Sequence, residues 1–328
     1  MRFSIVLPTH NRLSILKLVL TGIQNQNYPA DQFELVVVSD GSTDGTEEYL
    51  ANLKTPFRLK AIFQENQGVA SARNTGIECA QGEIIVFLDD DTLPVADFLI
   101  EHDRVQKQHG SGTVVLGPML APPDFRMTPW VSWEQARLQE QYHDMAHGHW
   151  APTPRQFFTA NASVARRYLL EAGGFDAAFR RAEDVELAYR LDQHGLHFVF
   201  HPAAAVYHYA ERSFEAWMAI PYAYGSNDVT FTHARGQEWL LPTVFKEYHT
   251  RHVLVKALIS VCLSRKITTQ FFQAGLKRLL FLSDQFGLVG LSHLICGGMF
   301  NLRYYQGVSD GLGGRRAFYA AVQDAASA

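Results

Sequence analysis

The stretch EIIVFLDDDTLP, residues 83–94, joins five consecutive apolar residues, Ile84 to Leu88, to three aspartates, Asp89, Asp90 and Asp91. An apolar run of this length, bounded by turn-forming residues, reads as a strand buried on both faces. Adjacent carboxylates at its end raise each other's pKa unless a cation neutralises them. A hard divalent ion such as Mg2+ or Mn2+ removes that cost, taking one or two carboxylates together with phosphate oxygens. Alternate residues of a strand point the same way, so Asp89 and Asp91 are expected to share such an ion while Asp90 faces elsewhere. The competing reading is a solvated acidic turn that caps a strand.

Upstream, the pattern repeats. FSIVLP (3–8), FELVVVSD (33–40) and RLKAIFQ (58–64) read as strands. They alternate with helical signals in RLSILKLVLTGIQNQ (12–26), DGTEEYLANL (44–53) and GVASARNTGIECA (68–80). Leu13, Leu16, Val19, Leu20 and Ile23 share one helical face, and Asp44 is the expected N-cap of the second helix. Uniformly apolar strands separated by helices imply an α/β fold with a mostly parallel sheet covered on both faces. In such sheets ligands sit outside the carboxyl ends of the strands. The polar stretches PTHNR, SDGSTDGT and DDDTLP fall at three of those ends, so one crevice should collect them.

Further along, the Pro- and Trp-rich APPDFRMTPWVSW (121–133) fits a surface loop or lid. RRYLLEAGGFD and EDVELAYRLDQHG read as helices stopped by glycine, and LHFVFHPAAAVYHY as two short strands broken at Pro202. Beyond about residue 230 acids thin out, and segments rich in Leu, Phe, Arg and Lys suggest a helical appendage.

Four further features carry chemistry. Asp40 ends a strand and can accept from a nucleobase N–H or a ribose hydroxyl, although its neighbours are also turn formers. Gly68 opens a helix, where backbone can approach an anion, and Arg73 lies within reach of a phosphate. Asp184, beside Glu183 at a helix start, is either an N-cap or a general base. His208 ends an apolar strand and is structural unless it completes a metal site.

Composition bounds the rest. The 328 residues are 47% hydrophobic and 19% charged, the balance of a folded chain, and the net charge of −4 gives no footprint for nucleic acid. Three widely spaced cysteines suggest a reducing cytosol. The N-terminal residues read directly as a strand rather than a leader, and no apolar run is long enough to span a bilayer.

Taken in order, SIVLPTHNR, ELVVVSDGSTDGT, NQGVASARNTGI, IIVFLDDDTLP, FFTANASVARRYLLEAGGFD, AEDVELAYRL and VYHYAERSF resemble the family-2 glycosyltransferases with the GT-A fold, over roughly residues 2–225. The resemblance implies a catalytic domain over residues 1–228 and a C-terminal helical region over 229–328. It implies an inverting, metal-assisted transfer of a sugar from a UDP-, GDP- or dTDP-sugar to a hydroxyl of a glycan or lipid-linked acceptor. Pro8, Thr9, Asn11, Asp40, Gly68 and Arg73 would bind the donor, with Asp89 and Asp90 against the ribose or metal-bound water. Asp91, with Asp89 and His208, would hold Mn2+ or Mg2+, Asp184 would be the catalytic base, and Glu183, Asn161 and Trp130 would face the acceptor. The expected setting is cytoplasmic, with the appendage suited to the inner face of a membrane or to joining subunits. A haloacid-dehalogenase-type phosphatase would place Asp-x-Asp-x-Thr near the N-terminus. Here Thr92 follows Asp91 directly. A sugar-nucleotide pyrophosphorylase would carry a Gly-rich basic loop where PTHNR stands. A nucleotide-sugar-binding protein without turnover is the remaining alternative.

Overall fold

The computed structural model describes the backbone of residues 1–327, in two compact units. The first comprises residues 1–125 and 137–210. Its strands are β1 (Phe3–Thr9), β2 (Phe33–Asp40), β3 (Arg58–Gln64), β4 (Ile84–Leu88), β5 (Thr92–Pro94), β6 (Thr113–Leu116), β7 (Met119–Leu120), β8 (Asn161–Ala165), β9 (His197–Phe200) and β10 (Val206–His208). Its helices are α1 (Leu13–Gln24), α2 (Thr46–Asn52), α3 (Val69–Cys79), α4 (Phe98–His109), the later turns of α5 (Pro129–Ala146), α6 (Arg166–Glu171) and α7 (Glu183–Gln193).

Seven strands form one sheet in the order β3-β2-β1-β4-β8-β6-β9, parallel except for β8, which runs antiparallel to both neighbours. Period-two alternation sorts the core. Ile5, Leu7, Leu35, Val37, Val86 and Leu88 pack with Leu16, Val19, Leu20 and Ile23 of α1 on one face. Val6, Val36, Val38, Ile85 and Phe87 pack with α3, α6 and α7 on the other. Both faces are therefore covered, which is why these strands read as unbroken apolar runs.

Asp44 works differently from a simple cap. The N-cap of α2 is Gly45, at φ 89°, while Asp44 accepts from the amide of Thr46 and, at 2.8 Å, from the amide of Leu13 at the start of α1. One carboxylate thus ties two helix starts together at the crevice edge.

β5, β10 and β7 make a second, three-stranded sheet. In it His208 pairs with Thr92, which brings the end of β10 against the acidic triplet.

The second unit comprises residues 126–136 and those from 211 onward. It contains the first turns of α5, then α8 (Phe214–Ala234), α9 (Leu240–Thr250), α10 (Val253–Cys262), α11 (Lys266–Gln285), α12 (Val289–Gly311) and α13 (Arg315–Ser327). Residue 228, the expected end of the catalytic domain, lies inside α8. Gly225 and Gly307 let α8 and α12 press together: a Cβ on either would meet a carbonyl oxygen of the other helix at 2.0 Å. The Trp-rich stretch expected as a loop is helical from Pro129 onward. Proline suits a first helical turn, where an amide goes unused, and Trp130 and Trp133, three residues apart, share a face.

Candidate functional site

The acidic triplet is a turn, not a strand. β4 stops at Leu88, and the Thr92 amide and hydroxyl both donate to the Asp89 carbonyl, at 3.1 and 2.8 Å. Strand alternation therefore ends before Asp89, so alternation is not what orients the three carboxylates. The pairing that replaces it comes from two arginines.

Arg12 stands in the loop after β1. Its Nη1 donates to Asp90 Oδ1 at 2.9 Å and to Asp91 Oδ2 at 2.7 Å. Thr9 Oγ1 donates to the other oxygen of Asp90 at 2.8 Å. Burial outweighs these contacts and pushes the Asp90 carboxyl up to about 6. Burial also acts against charge on Asp91, but the approach of His208 and the guanidinium of Arg12 prevail and hold it at about 2. His208 Nε2 lies 3.6 Å from Asp91 Oδ1.

Arg73, 4% exposed, binds Asp89 with Nη2 and Glu183 with Nη1, both at 2.8 Å. Its Nε has no hydrogen-bond partner. The charges of Asp89 and Glu183 overcome the cost of burying the guanidinium and raise its pKa. Asp184 follows Glu183 in the first turn of α7, whose N-cap is Ala182, so the capping role does not apply. Its Oδ1 accepts from the amide of Val185 at 2.8 Å. Burial and the neighbouring Glu183 charge push the Asp184 carboxyl up to about 7, with Arg73 opposing them. Arg73 thus places the end of β4 and the start of α7 around one cation.

Asp40 is buried, and its carboxylate is spoken for. Gln64 Nε2 and the amides of Gln67 and Gly68 donate to it at 2.8, 2.9 and 2.8 Å. It fixes the loop that starts α3, and Gly68, at φ 91°, has open space where a Cβ would stand. Pro8 is buried at the end of β1. Asn11, at φ 53°, accepts from the Thr43 amide at 2.7 Å and so binds the β1 and β2 loops to each other.

Two acceptor candidates are used for structure. Asn161 is 1% exposed; its Nδ2 donates to the carbonyls of Pro118 and Ala204, and its Oδ1 lies 3.1 Å from His102 Nε2. Its side-chain amide thus holds the Pro118 and Ala204 loops against the start of β8. Trp130 belongs to the second unit, where its indole donates to Arg212 O at 3.0 Å and its ring packs against Phe214 and Trp217.

Arg12 is not among the residues expected at the site. Its signal was the PTHNR loop itself: three clustered carboxylates require a counter-charge, and this loop carries one at the same crevice. Among the described residues, no group of three or more His, Cys, Asp or Glu side chains is arranged to hold a metal ion.

The family model for glycosyl transferase family 2 matches residues 4–174, more than half of the chain. The chain belongs to that family. Its sheet and flanking helices have the expected GT-A architecture. Among family relatives, validoxylamine A glucosyltransferase of Streptomyces hygroscopicus subsp. jinggangensis is 32% identical over 224 residues, covering 59% of this chain and 52% of that protein. The chain thus spans about half the length of the curated relatives it matches first. A Pyrobaculum calidifontis mannosyltransferase, solved with GDP-Man and Mn2+, is 25% identical with a TM-score of 0.53, covering 70% of this chain and 62% of that one. S. aureus TarS residues 1–349, solved with UDP-GlcNAc, has a TM-score of 0.61 at 20% identity, covering 95% and 92% of the two chains, a likeness of fold.

Proposed function

We infer that this family-2 chain is an inverting glycosyltransferase, moving a sugar from a nucleotide-sugar donor to a hydroxyl of a glycan or lipid-linked acceptor. The observation that carries the reading is Arg73 between Asp89 and Glu183, because it holds the candidate base Asp184 beside the acidic turn. The GDP-Man and Mn2+ bound by the Pyrobaculum mannosyltransferase support a donor and an ion of this kind.

Asp91 and His208 supply two ligands of the kind a hard divalent ion takes, and phosphate oxygens of the donor would supply others. Asp91 stays ionised at about 2, His208 stands beside it, and the guanidinium of Arg12 already occupies the carboxylates as a cation. Asp91 and His208 would hold the ion, with Asp89, which Arg73 binds in the structure, as the third expected ligand; when bound, the ion supplies neutralisation of the charge building on the departing diphosphate.

This chain's own groups do the rest. A carboxyl poised at about 7 exchanges protons readily near neutrality, the condition for an efficient general base. Asp184 takes the acceptor's hydroxyl proton as the new bond to the anomeric carbon forms. The bond to the nucleoside diphosphate breaks on the opposite face, and the leaving group keeps the electron pair. One displacement inverts the centre, so no nucleophilic carboxylate is needed. Arg73 keeps Asp184 from rising further, and Asp40 fixes the loop over which the nucleoside would lie.

The experiment is to identify a donor by thermal shift with Mn2+ and Mg2+, then compare wild type with Asp184→Asn. The variant should bind donor as wild type does and lose transfer. Undiminished transfer would remove Asp184 as the base.

A further inference from the structure

Helix α11 turns Thr269, Leu280 and Ser283 inward, all on one side. At the opposite phase stand Ile267, Phe271 and Leu282, exposed by 84%, 76% and 47%, with Arg278 among them. The apolar character continues past the helix end in Phe286, 74% exposed, and into α12 at Leu294, 70% exposed. Single exposed apolar residues are ordinary, but here the exposed side of the helix is apolar while two of its three buried residues, Thr269 and Ser283, are polar, which leaves a contiguous apolar face uncovered.

Charge selects that partner. Residues 251–296 hold six cations (Arg251, Lys256, Arg265, Lys266, Lys277, Arg278) against one acid, Asp284; Arg251 pairs with Glu247 and Lys277 with Glu215, which leaves Lys256, Arg265, Lys266 and Arg278 as the excess, in a chain whose net charge is −4. A second copy would set like charges against each other, whereas an anionic surface complements them. A groove of about 350 Å³, lined in part by Arg126, Trp130, Lys277, Phe281 and Asp284, opens on the same helix and adds one cation, Arg126, beside aromatic rings. No helix among the described residues is long and apolar enough to cross a membrane, so the fitting geometry is a helix lying in the interface.

We propose that the outward face of α11 and the turn into α12 dock on an anionic phospholipid bilayer. Phe271, Phe281, Phe286 and Leu294 enter the acyl boundary, and Lys266 and Arg278 meet the headgroups. The proposal is independent of the catalytic reading above.

The test is co-sedimentation of the full chain with extruded vesicles of phosphatidylcholine, alone or mixed with phosphatidylglycerol. The chain should pellet with the mixed vesicles only, and less at high salt, which screens the headgroup attraction. Phe286→Glu should lower partition about tenfold or more, from the lost burial of one aromatic side chain. Arg278→Glu should lower it chiefly at low salt. Both variants should keep the wild-type unfolding midpoint, because the two side chains are exposed. Wild-type protein left in the supernatant with mixed vesicles overturns the proposal. So does equal binding by both variants, or light scattering that shows a dimer which Phe286→Glu makes monomeric.

Discussion

His208 Nε2 stands 3.6 Å from Oδ1 of Asp91, wider than a hydrogen bond and within the reach of an ion pair. A carboxylate and an imidazole held at such a gap leave it to a third party. Mn2+ should therefore raise the unfolding midpoint of the wild-type chain. At a concentration about a hundred times its Kd, the gain is about 2.7 kcal/mol. His208→Ala should reduce the gain and Asp91→Asn should remove it, as read by differential scanning fluorimetry across a metal titration.

Arg12 competes for the same oxygens. Arg12→Ala frees Asp90 and Asp91 of their counter-ion, so the metal-free variant should lose about 1–3 kcal/mol of stability. Its apparent affinity for Mn2+ in the absence of nucleotide should rise, because the ion no longer displaces a guanidinium. Isothermal titration calorimetry measures this directly; a weaker affinity in the variant would mean that Arg12 supports the ion rather than opposes it.

Asp184 gives a pH signature in two readouts. Its folded pKa of about 7 lies above its ordinary 3.8. Between those values the folded chain retains a proton that the unfolded chain has released. Stability should therefore fall as pH rises through this window, and Asp184→Asn should flatten that decline. Asp91, held at about 2, acts with the opposite sign: its stabilisation is present above the ordinary carboxylate range and is lost as pH drops toward 2. Transfer should rise with pH through about 7, where the base loses its proton.

Arg73 sets where that rise occurs. Its charge lowers the pKa of Asp184, so Arg73→Lys should preserve most of the pH profile, while Arg73→Met should shift the rise to higher pH. The methionine variant also strands Asp89 and Glu183, at a cost of about 3–5 kcal/mol. Urea unfolding and a pH–rate series separate the two effects.

Asn161 and Gly117 form one joint. A Cβ on Gly117 would sit 1.8 Å from Ala204 O and 2.5 Å from Asn161 Nδ2. Asn161→Ala should cost about 1–3 kcal/mol by leaving the buried Ala204 carbonyl and His102 Nε2 without the partner Asn161 provides, while Pro118 O keeps the Val206 amide. Gly117→Ala should destabilise through backbone displacement. In both variants donor binding, measured on the fraction that stays folded, should stay within about twofold of wild type, the mark of a structural role.

The four parallel strands from β1 to β4 were legible because burial on both faces writes itself as an unbroken apolar run. The clustering of PTHNR, SDGSTDGT and DDDTLP was legible for the same reason, since strand direction decides which ends share an edge. Asp89 to Asp91 misled because a turn closed by the Thr92 hydroxyl erases strand periodicity, and no local rule announces that closure. The pairing of Arg12 with Asp90 and Asp91 crosses some eighty positions of chain, a separation over which one sequence carries no pairing signal. Asn161 looked like a polar group in waiting. The carbonyls that consume it, on Pro118 and Ala204, arrive from two distant loops. Pro129 and the tryptophans suggested a loop by composition, but helical spacing outweighed composition.

The direction of β8 decides which segment borders the acidic turn. Leu88, the last residue of β4, pairs with Asn161, the first of β8, because the two strands run in opposite directions. The segment from 147 to 160 therefore enters the sheet where the acidic turn leaves it. A strand in the common direction would have delivered that segment to the far rim. One reversed strand thus sets the end of this segment, with Phe157 and Ala160 in the core, at the same rim as the acidic turn, while β1, β2 and β4 keep their register.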